Sequence, residues 1–175
     1  NIRSIMIANR MAIIGVGLIG GSLARALKKN NAVQTIIGYG HNENSLKKAF
    51  QLGVIDSYSL NIGEVVDDAD IVVLATPLST ADSLFAAMSD SLKQTAIVTD
   101  VGSAKGRIVE SAREYLGDMY TRFVPGHPIA GKETSGQGAE REGVGWTKII
   151  CGRMMERKAE GQELTSSVTK GRPGG

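Results

Sequence analysis

The sequence is short of most features that mark a secreted, membrane-bound or nucleic-acid-binding chain. It holds a single cysteine, Cys151, which excludes an internal disulfide framework and a cysteine cage for a metal. An intracellular, reducing compartment is therefore expected, with the cytoplasm as the simplest choice. No apolar run approaches the roughly 20 residues that cross a bilayer. The opening segment NIRSIMIANR has neither the apolar core nor the small-residue cleavage site of a secretory signal. A formal charge of +2, with the basic residues scattered, gives no footprint for nucleic acid. The expected partner is a small molecule, with no membrane, nucleic acid or metal.

Aromatic residues make up only 5% of the chain, whereas glycine occurs 22 times and hydrophobic residues reach 42%. That much apolar side chain supports a real core, and the glycines suit tight turns. Together they favour an open α/β sheet over a β-sandwich.

The pattern along the chain agrees. Met11–Gly15 (MAIIG) is a near-continuous apolar run, as in a strand buried on both faces. Ser22–Lys29 then spaces Leu23, Ala26 and Leu27 as on one helical face, with lysines in the last turn. Gln34–Tyr39 is a second strand, and Asn44–Leu52 a second helix, capped by Asn42 or Asn44 and stopped by Gly53. Asp70–Ala75, Ala96–Asp100 and Arg122–Val124 read as further strands, alternating with helices over Ala81–Leu92 and Lys105–Leu116.

Strands alternating with helices of this length mean βαβ units, so the expected fold is a doubly wound parallel sheet of the Rossmann type. The dinucleotide-binding domain should occupy residues 11–138. Residues 1–10 read as an N-terminal extension, with Met11 a natural place to start, and residues 139–175 as an atypical, flexible tail.

Gly15-Val16-Gly17-Leu18-Ile19-Gly20 matches G-x-G-x-x-G, with an apolar strand leading in and an amphipathic helix leading out. Gly15 allows the tight turn, Gly17 lets a pyrophosphate approach the backbone, and Gly20 lets the helix pack closely. The helix start then offers unpaired N–H groups, with Ser22 as a further hydroxyl donor. A glycine-rich structural turn is the bland alternative, and the strand-turn-helix context weighs against it.

The acid expected about 20 residues on, for the ribose 2′-OH, is missing. Gly40 stands there, followed by His41, Asn42 and Glu43. His41, Asn42 and Lys47 can meet a 2′-phosphate, Glu43 can instead take a 2′-OH, and His41 can equally be an exposed loop residue. The cofactor is thus NAD or NADP.

Ligands of such sheets lie beyond the carboxyl ends of the strands. Three loops leave strands there: Thr76-Pro77-Leu78, then Asp100 to Lys105 including Gly102 and Ser103, and Pro125 to Gly136. His127, fixed between glycine and proline, suits a group that takes a proton as hydride leaves the same carbon. Ser103 can bind the same hydroxyl. The plain alternatives are a turn histidine, a helix-capping serine, and helix-start packing for Lys105.

The segments GVGLIGGSLARALK, GYGHNENSLKKAFQLGVID, DADIVVLATPLST, TDVGSAKGRIVESA and FVPGHPIAGKETSG follow one another as in the prephenate/arogenate (cyclohexadienyl) dehydrogenases. The chain resembles that family from about Met11 to Gly138. G-H-P-[IM]-A-G together with T-D-x-x-S-x-K is far more specific than the glycine motif.

The resemblance implies an oxidoreductase of tyrosine biosynthesis, an NAD(P)-dependent oxidative decarboxylation of prephenate or arogenate. It implies catalytic roles for His127 and Ser103 at the ring 4-hydroxyl, and a substrate-gating loop at Glu133. Gly15, Gly17, Leu18, Ile19, Gly20, Ser22, His41, Asn42, Thr76, Pro77 and Gly102 are expected to line the cofactor.

The family continues into a long helical domain that supplies the dimer interface and the basic residues for the substrate carboxylates. Past Gly138 this chain departs from that pattern, which suggests a truncated form without the homodimer-forming half. Two other functions compete with the leading one. One is a non-catalytic NAD(P)-binding module. The other is a different dehydrogenase of the 6-phosphogluconate or 3-hydroxyacyl-CoA dehydrogenase-like superfamily, against which the G-H-P-I-A-G segment argues.

Overall fold

Two runs of aliphatic residues make the centre of the sheet. β1 (Ala8–Ile14) and β4 (Ile71–Leu74) lie side by side and parallel, Met11 opposite Ile71 and Ile14 opposite Leu74. Met11–Ile14 and Ile71–Leu74 are all buried, because each run carries apolar side chains toward both faces, whereas Asn9 at the start of β1 is exposed. The computed structural model describes residues 6–101 and 105–126. Within them β2 (Val33–Tyr39), β3 (Ser57–Ser59), β5 (Ile97–Asp100) and β6 (Phe123–Val124) complete a parallel sheet in the order β3-β2-β1-β4-β5-β6. This is the doubly wound order, which reverses direction between β1 and β4.

The period of two along the strands sorts the core into two layers. Met11, Ile13, Ile36, Ile71 and Val73 face one side, where α1 (Leu18–Lys29) adds Leu23, Ala24 and Leu27 and α2 (Glu43–Gln51) adds Leu46 and Ala49. Ala12, Ile14, Ile37, Val72, Leu74 and Val98 face the other, under α3 (Ile62–Val66), α4 (Ala81–Met88) and α5 (Lys105–Tyr115). Phe85 of α4 meets Phe123 of β6 edge to face at 5.7 Å. With Phe85 fully buried, its truncation to alanine removes roughly 3–5 kcal/mol.

Several boundaries differ from those read off the sequence. β1 takes in Ala8, Asn9 and Arg10, part of the expected N-terminal extension, because Ala8 pairs with Val33 and the acid just before β4, Asp70, holds the next two amides. α1 starts at Leu18, four residues before Ser22, and includes Gly20, a poor helix former that close packing on Gly15 requires there. α4 ends at Met88, although Leu92 stays buried beyond it.

The sequence reading found neither β3 nor α3. β3 is three half-buried residues at the sheet edge, and α3 is five residues capped by the Asn61 side chain on the Gly63 amide. Both are too short to show a period. Among the described residues no helix is long and apolar enough to cross a membrane.

The amino ends of the strands are tied by carboxylates. Asp70 Oδ2 accepts from the Asn9 and Arg10 amides at 3.1 Å each, while Oδ1 takes the Lys93 ammonium. Asp56, just before β3, does the same for the middle of β2, accepting from the Ile36 amide at 2.8 Å and the Lys28 ammonium at 2.7 Å. Burial pushes the Asp70 carboxyl up, but the Lys93 hydrogen bond, the Arg10 amide, the Lys93 charge and the Asn9 amide outweigh it. The group is held below the usual carboxylate value.

A carboxyl lowered on folding stabilises fully above its unfolded value, and that contribution is lost as pH falls through the folded value. Asp70→Asn is expected to cost roughly 1–2 kcal/mol near neutrality, modest because a third of the side chain meets solvent. The gap between wild-type and variant urea midpoints should narrow as pH drops below about 4.

Candidate functional site

At the carboxyl end of the sheet the chain leaves β1 through Gly15, whose φ of +99° only glycine adopts readily. Its amide donates to the Tyr39 carbonyl at 2.8 Å, so the turn sits directly on the end of β2. A side chain on Gly15 would also strike Thr76 Cγ2, at 2.7 Å from its Cβ, at the end of β4. Two residues later Gly17 caps α1 with no side-chain hydrogen bond, and nothing stands within 4 Å of where its Cβ would be. Gly20 is the opposite case: a Cβ there would lie 2.1 Å from the Gly15 carbonyl oxygen.

The turn is therefore closed beneath Gly20 and open above Gly17. The first intrahelical bond into the cap is Gly21 N–H to the Gly17 carbonyl at 2.8 Å, so the amides of Leu18, Ile19 and Gly20 have no intrahelical acceptor. No acidic residue stands in that first turn to compete for them. An anion approaching over Gly17 meets free N–H groups and the positive end of the helix dipole.

Leu18 and Ile19 hold their side chains largely in solvent beside this opening. Thr76 Oγ1 is buried next to the turn with no hydrogen-bond partner among the described residues. A buried hydroxyl without a partner is costly and marks a place where a further polar group fits. The glycine cradle and this hydroxyl together suit a pyrophosphate-containing cofactor.

The other expected residues are less uniform. Pro77 is exposed and leads into a short 3-10 turn over Leu78–Thr80, closed by the Thr80 hydroxyl on the Pro77 carbonyl at 2.7 Å. Ser22 lies in the second turn of α1, below the open amides, because the helix starts early. At the end of β2, His41 is exposed and stands edge-on to Tyr39, ring centroids 6.0 Å apart. Asn42 caps α2, accepting from the Ser45 amide at 3.2 Å. Gly102, Ser103, His127 and Glu133 lie outside the described residues, and among the described residues no cluster of acids, histidines or cysteines could hold a metal.

One residue here was read from the sequence only as the start of a loop, with no role given to it. Asp100, at the end of β5 and 2% exposed, accepts the Gly126 amide on Oδ1 at 3.0 Å. A Cβ on Gly126 would sit 1.8 Å from the Asp100 carbonyl oxygen. The segments that continue toward Ser103 and His127 thus leave the sheet from adjacent strands, held together at their roots. An acid as the last residue of an apolar strand was the available signal.

The two glycines of the turn should separate folding from binding. Gly20→Ala is expected to lower stability by roughly 2–4 kcal/mol in urea unfolding, through the clash with the Gly15 carbonyl. Gly17→Ala should fold normally yet bind a reduced nicotinamide dinucleotide about tenfold more weakly by fluorescence titration, since its methyl fills the phosphate approach.

Residues 23–144 match the family model described as prephenate dehydrogenase, nucleotide-binding domain. The prephenate dehydrogenase of Bacillus subtilis (strain 168) is 37% identical over 131 residues, which cover 74% of this chain and 35% of that protein. The cyclohexadienyl dehydrogenase of Zymomonas mobilis is 36% identical over 129 residues, covering 74% and 43%. Among solved structures, prephenate dehydrogenase from A. aeolicus in complex with hydroxyphenyl propionate and NAD+ superposes with a TM-score of 0.64 at 41% identity, over 73% of this chain and 44% of that one.

Synechocystis arogenate dehydrogenase gives a TM-score of 0.57 at 32% identity, over 71% and 42%. Octopine dehydrogenase, at 15% identity and a TM-score of 0.56, shares the fold alone. The chain spans less than half the length of these prephenate, cyclohexadienyl and arogenate dehydrogenases. The family match spans most of the chain and follows directly on the glycine cradle, within the 3-2-1-4-5-6 sheet: the chain belongs to the prephenate dehydrogenase family, as its nucleotide-binding domain.

Proposed function

We propose that this chain is the NAD(P)-binding half of a cytoplasmic enzyme of tyrosine biosynthesis. The reaction is the oxidative decarboxylation of prephenate to 4-hydroxyphenylpyruvate, or of arogenate to tyrosine. The observation that carries the proposal is the arrangement at one end of the sheet. The open glycine turn of α1, the buried Thr76 hydroxyl and the Asp100–Gly126 bond all stand at the carboxyl ends of neighbouring strands. The names of the relatives supply the substrate class.

When bound, the dinucleotide supplies the hydride acceptor. Gly17 and the first amides of α1 would hold its pyrophosphate. His127, the residue after the Asp100-anchored Gly126, takes the proton of the ring 4-hydroxyl as hydride leaves the same carbon. Ser103 shares that hydroxyl and Glu133 lies in the loop that approaches the substrate. The ring carboxylate departs as CO2, its bonding electrons complete the aromatic ring, and the proton returns to the phenol oxygen. Aromatisation drives the step, so the protein's task is positioning and the handling of one proton.

A second reading is a dinucleotide-binding module without turnover, since the open amides over Gly17 and the unpartnered Thr76 hydroxyl account for cofactor binding alone. The two separate in one assay: prephenate added to the chain with oxidised cofactor, followed by absorbance of the reduced nicotinamide. Turnover that His127→Ala lowers by about 10²–10⁴-fold, with cofactor affinity unchanged, supports the enzyme. Cofactor binding without turnover leaves the module, and failure to bind either dinucleotide overturns both.

A further inference from the structure

We propose that the end of β2 makes this site prefer the 2′-phosphorylated cofactor, NADP(H), over NAD(H), with Gly40 as the residue that decides. The proposal deepens the dinucleotide reading above and rests on it. The Gly15 amide on the Tyr39 carbonyl, at 2.8 Å, sets Gly40 immediately beside the glycine turn. That is where the adenosine ribose of a bound dinucleotide lies in this fold, and where a carboxylate normally accepts the ribose hydroxyls and repels a phosphate.

Here no carboxylate stands between Gly38 and Asn42. The backbone does not demand glycine: Gly40 is not among the residues of positive φ. Nor does packing demand it, because the nearest atom to its missing Cβ is Leu46 Cδ2 at 3.5 Å, an ordinary contact. Contrast Gly38 two residues earlier, whose Cβ would press on Val16 and Ile55 at 2.8 and 2.9 Å. A side chain could start from position 40 in ordinary contact with its neighbours, and none does, so no carboxylate stands there to repel a 2′-phosphate.

The surroundings supply donors. His41 is exposed and held edge-on to Tyr39. Asn42 must turn its carbonyl oxygen to the Ser45 amide, which directs its NH2 group elsewhere as a donor. From Gly38 to Lys48 the charged residues are Glu43 against Lys47 and Lys48, a balance of one positive charge. Glu43 is the single group here that would favour a free 2′-hydroxyl, and it stands on the first turn of α2 rather than at the strand end.

The test is fluorescence titration of the purified chain with NADPH and NADH, in the wild type and in Gly40→Asp and His41→Ala. NADPH should bind about tenfold or more tightly than NADH. Gly40→Asp, whose Cβ meets only ordinary contacts, should weaken NADPH by at least a comparable factor and hold or improve NADH. His41→Ala should weaken NADPH more than NADH. Equal or tighter binding of NADH by the wild type, or an NADPH/NADH ratio that Gly40→Asp leaves unchanged, overturns the proposal while the dinucleotide site stands. Binding of neither nucleotide removes both.

Discussion

The approach of Gly20 to the Gly15 carbonyl governs how this end of the molecule is built. With 2.1 Å between that oxygen and the position of a Cβ, only a residue without a side chain lets α1 start directly behind β1. That contact aims the first amides of α1 outward over Gly17. It also presses Gly15 against Ala75 and Thr76 at the end of β4, across the point where the sheet changes direction. A methyl group at either glycine would tilt the helix, and the open amides would no longer converge on one place. The anion site is thus a consequence of close packing and not of any charged side chain.

Carboxylates divide the work between the two ends of the sheet. Asp70 ties the amino ends of β1 and β4, and Asp56, just before β3, holds the middle of β2, each with a lysine partner and each partly in solvent. Their role is cohesion: each carboxylate accepts backbone amides of a neighbouring strand. Asp100 does something different at the carboxyl end. It is buried, it holds a loop amide rather than a strand amide, and the chain it anchors runs on into the His127 segment. The lysine-paired carboxylates thus lie at one end and the proposed site at the other, as expected where loops beyond strand ends carry the reacting groups.

Much of this was legible in the sequence because its strongest patterns are local. The aliphatic runs of β1, β4 and β5 and the glycine spacing after β1 each announce themselves within a few residues, and β2 and α2 follow within one residue of their expected bounds. What stayed hidden is short or long-range. β3 and α3 are too brief for a period to emerge, and they exist because β2 offers a free edge and the chain must cross the sheet. The start of α1 was misplaced because Gly20 and Gly21 are poor helix formers, so the propensity pointed to Ser22. The bond from Asp100 to Gly126 joins residues 26 apart, a separation no local pattern encodes.

By itself the sequence determined the fold class, the glycine turn and the family resemblance, because each depends on residue type at fixed short spacing. Tertiary structure alone decided which glycines are closed and which are open, since that turns on the distance from each missing Cβ to another strand. It decided that Asp100 anchors the root of the His127 segment, and that a side chain could start from position 40 in ordinary contact with its neighbours. Those properties belong to atoms brought together across the sheet, and only the packed β1, β2, β4, β5 and β6 put them within reach of one another.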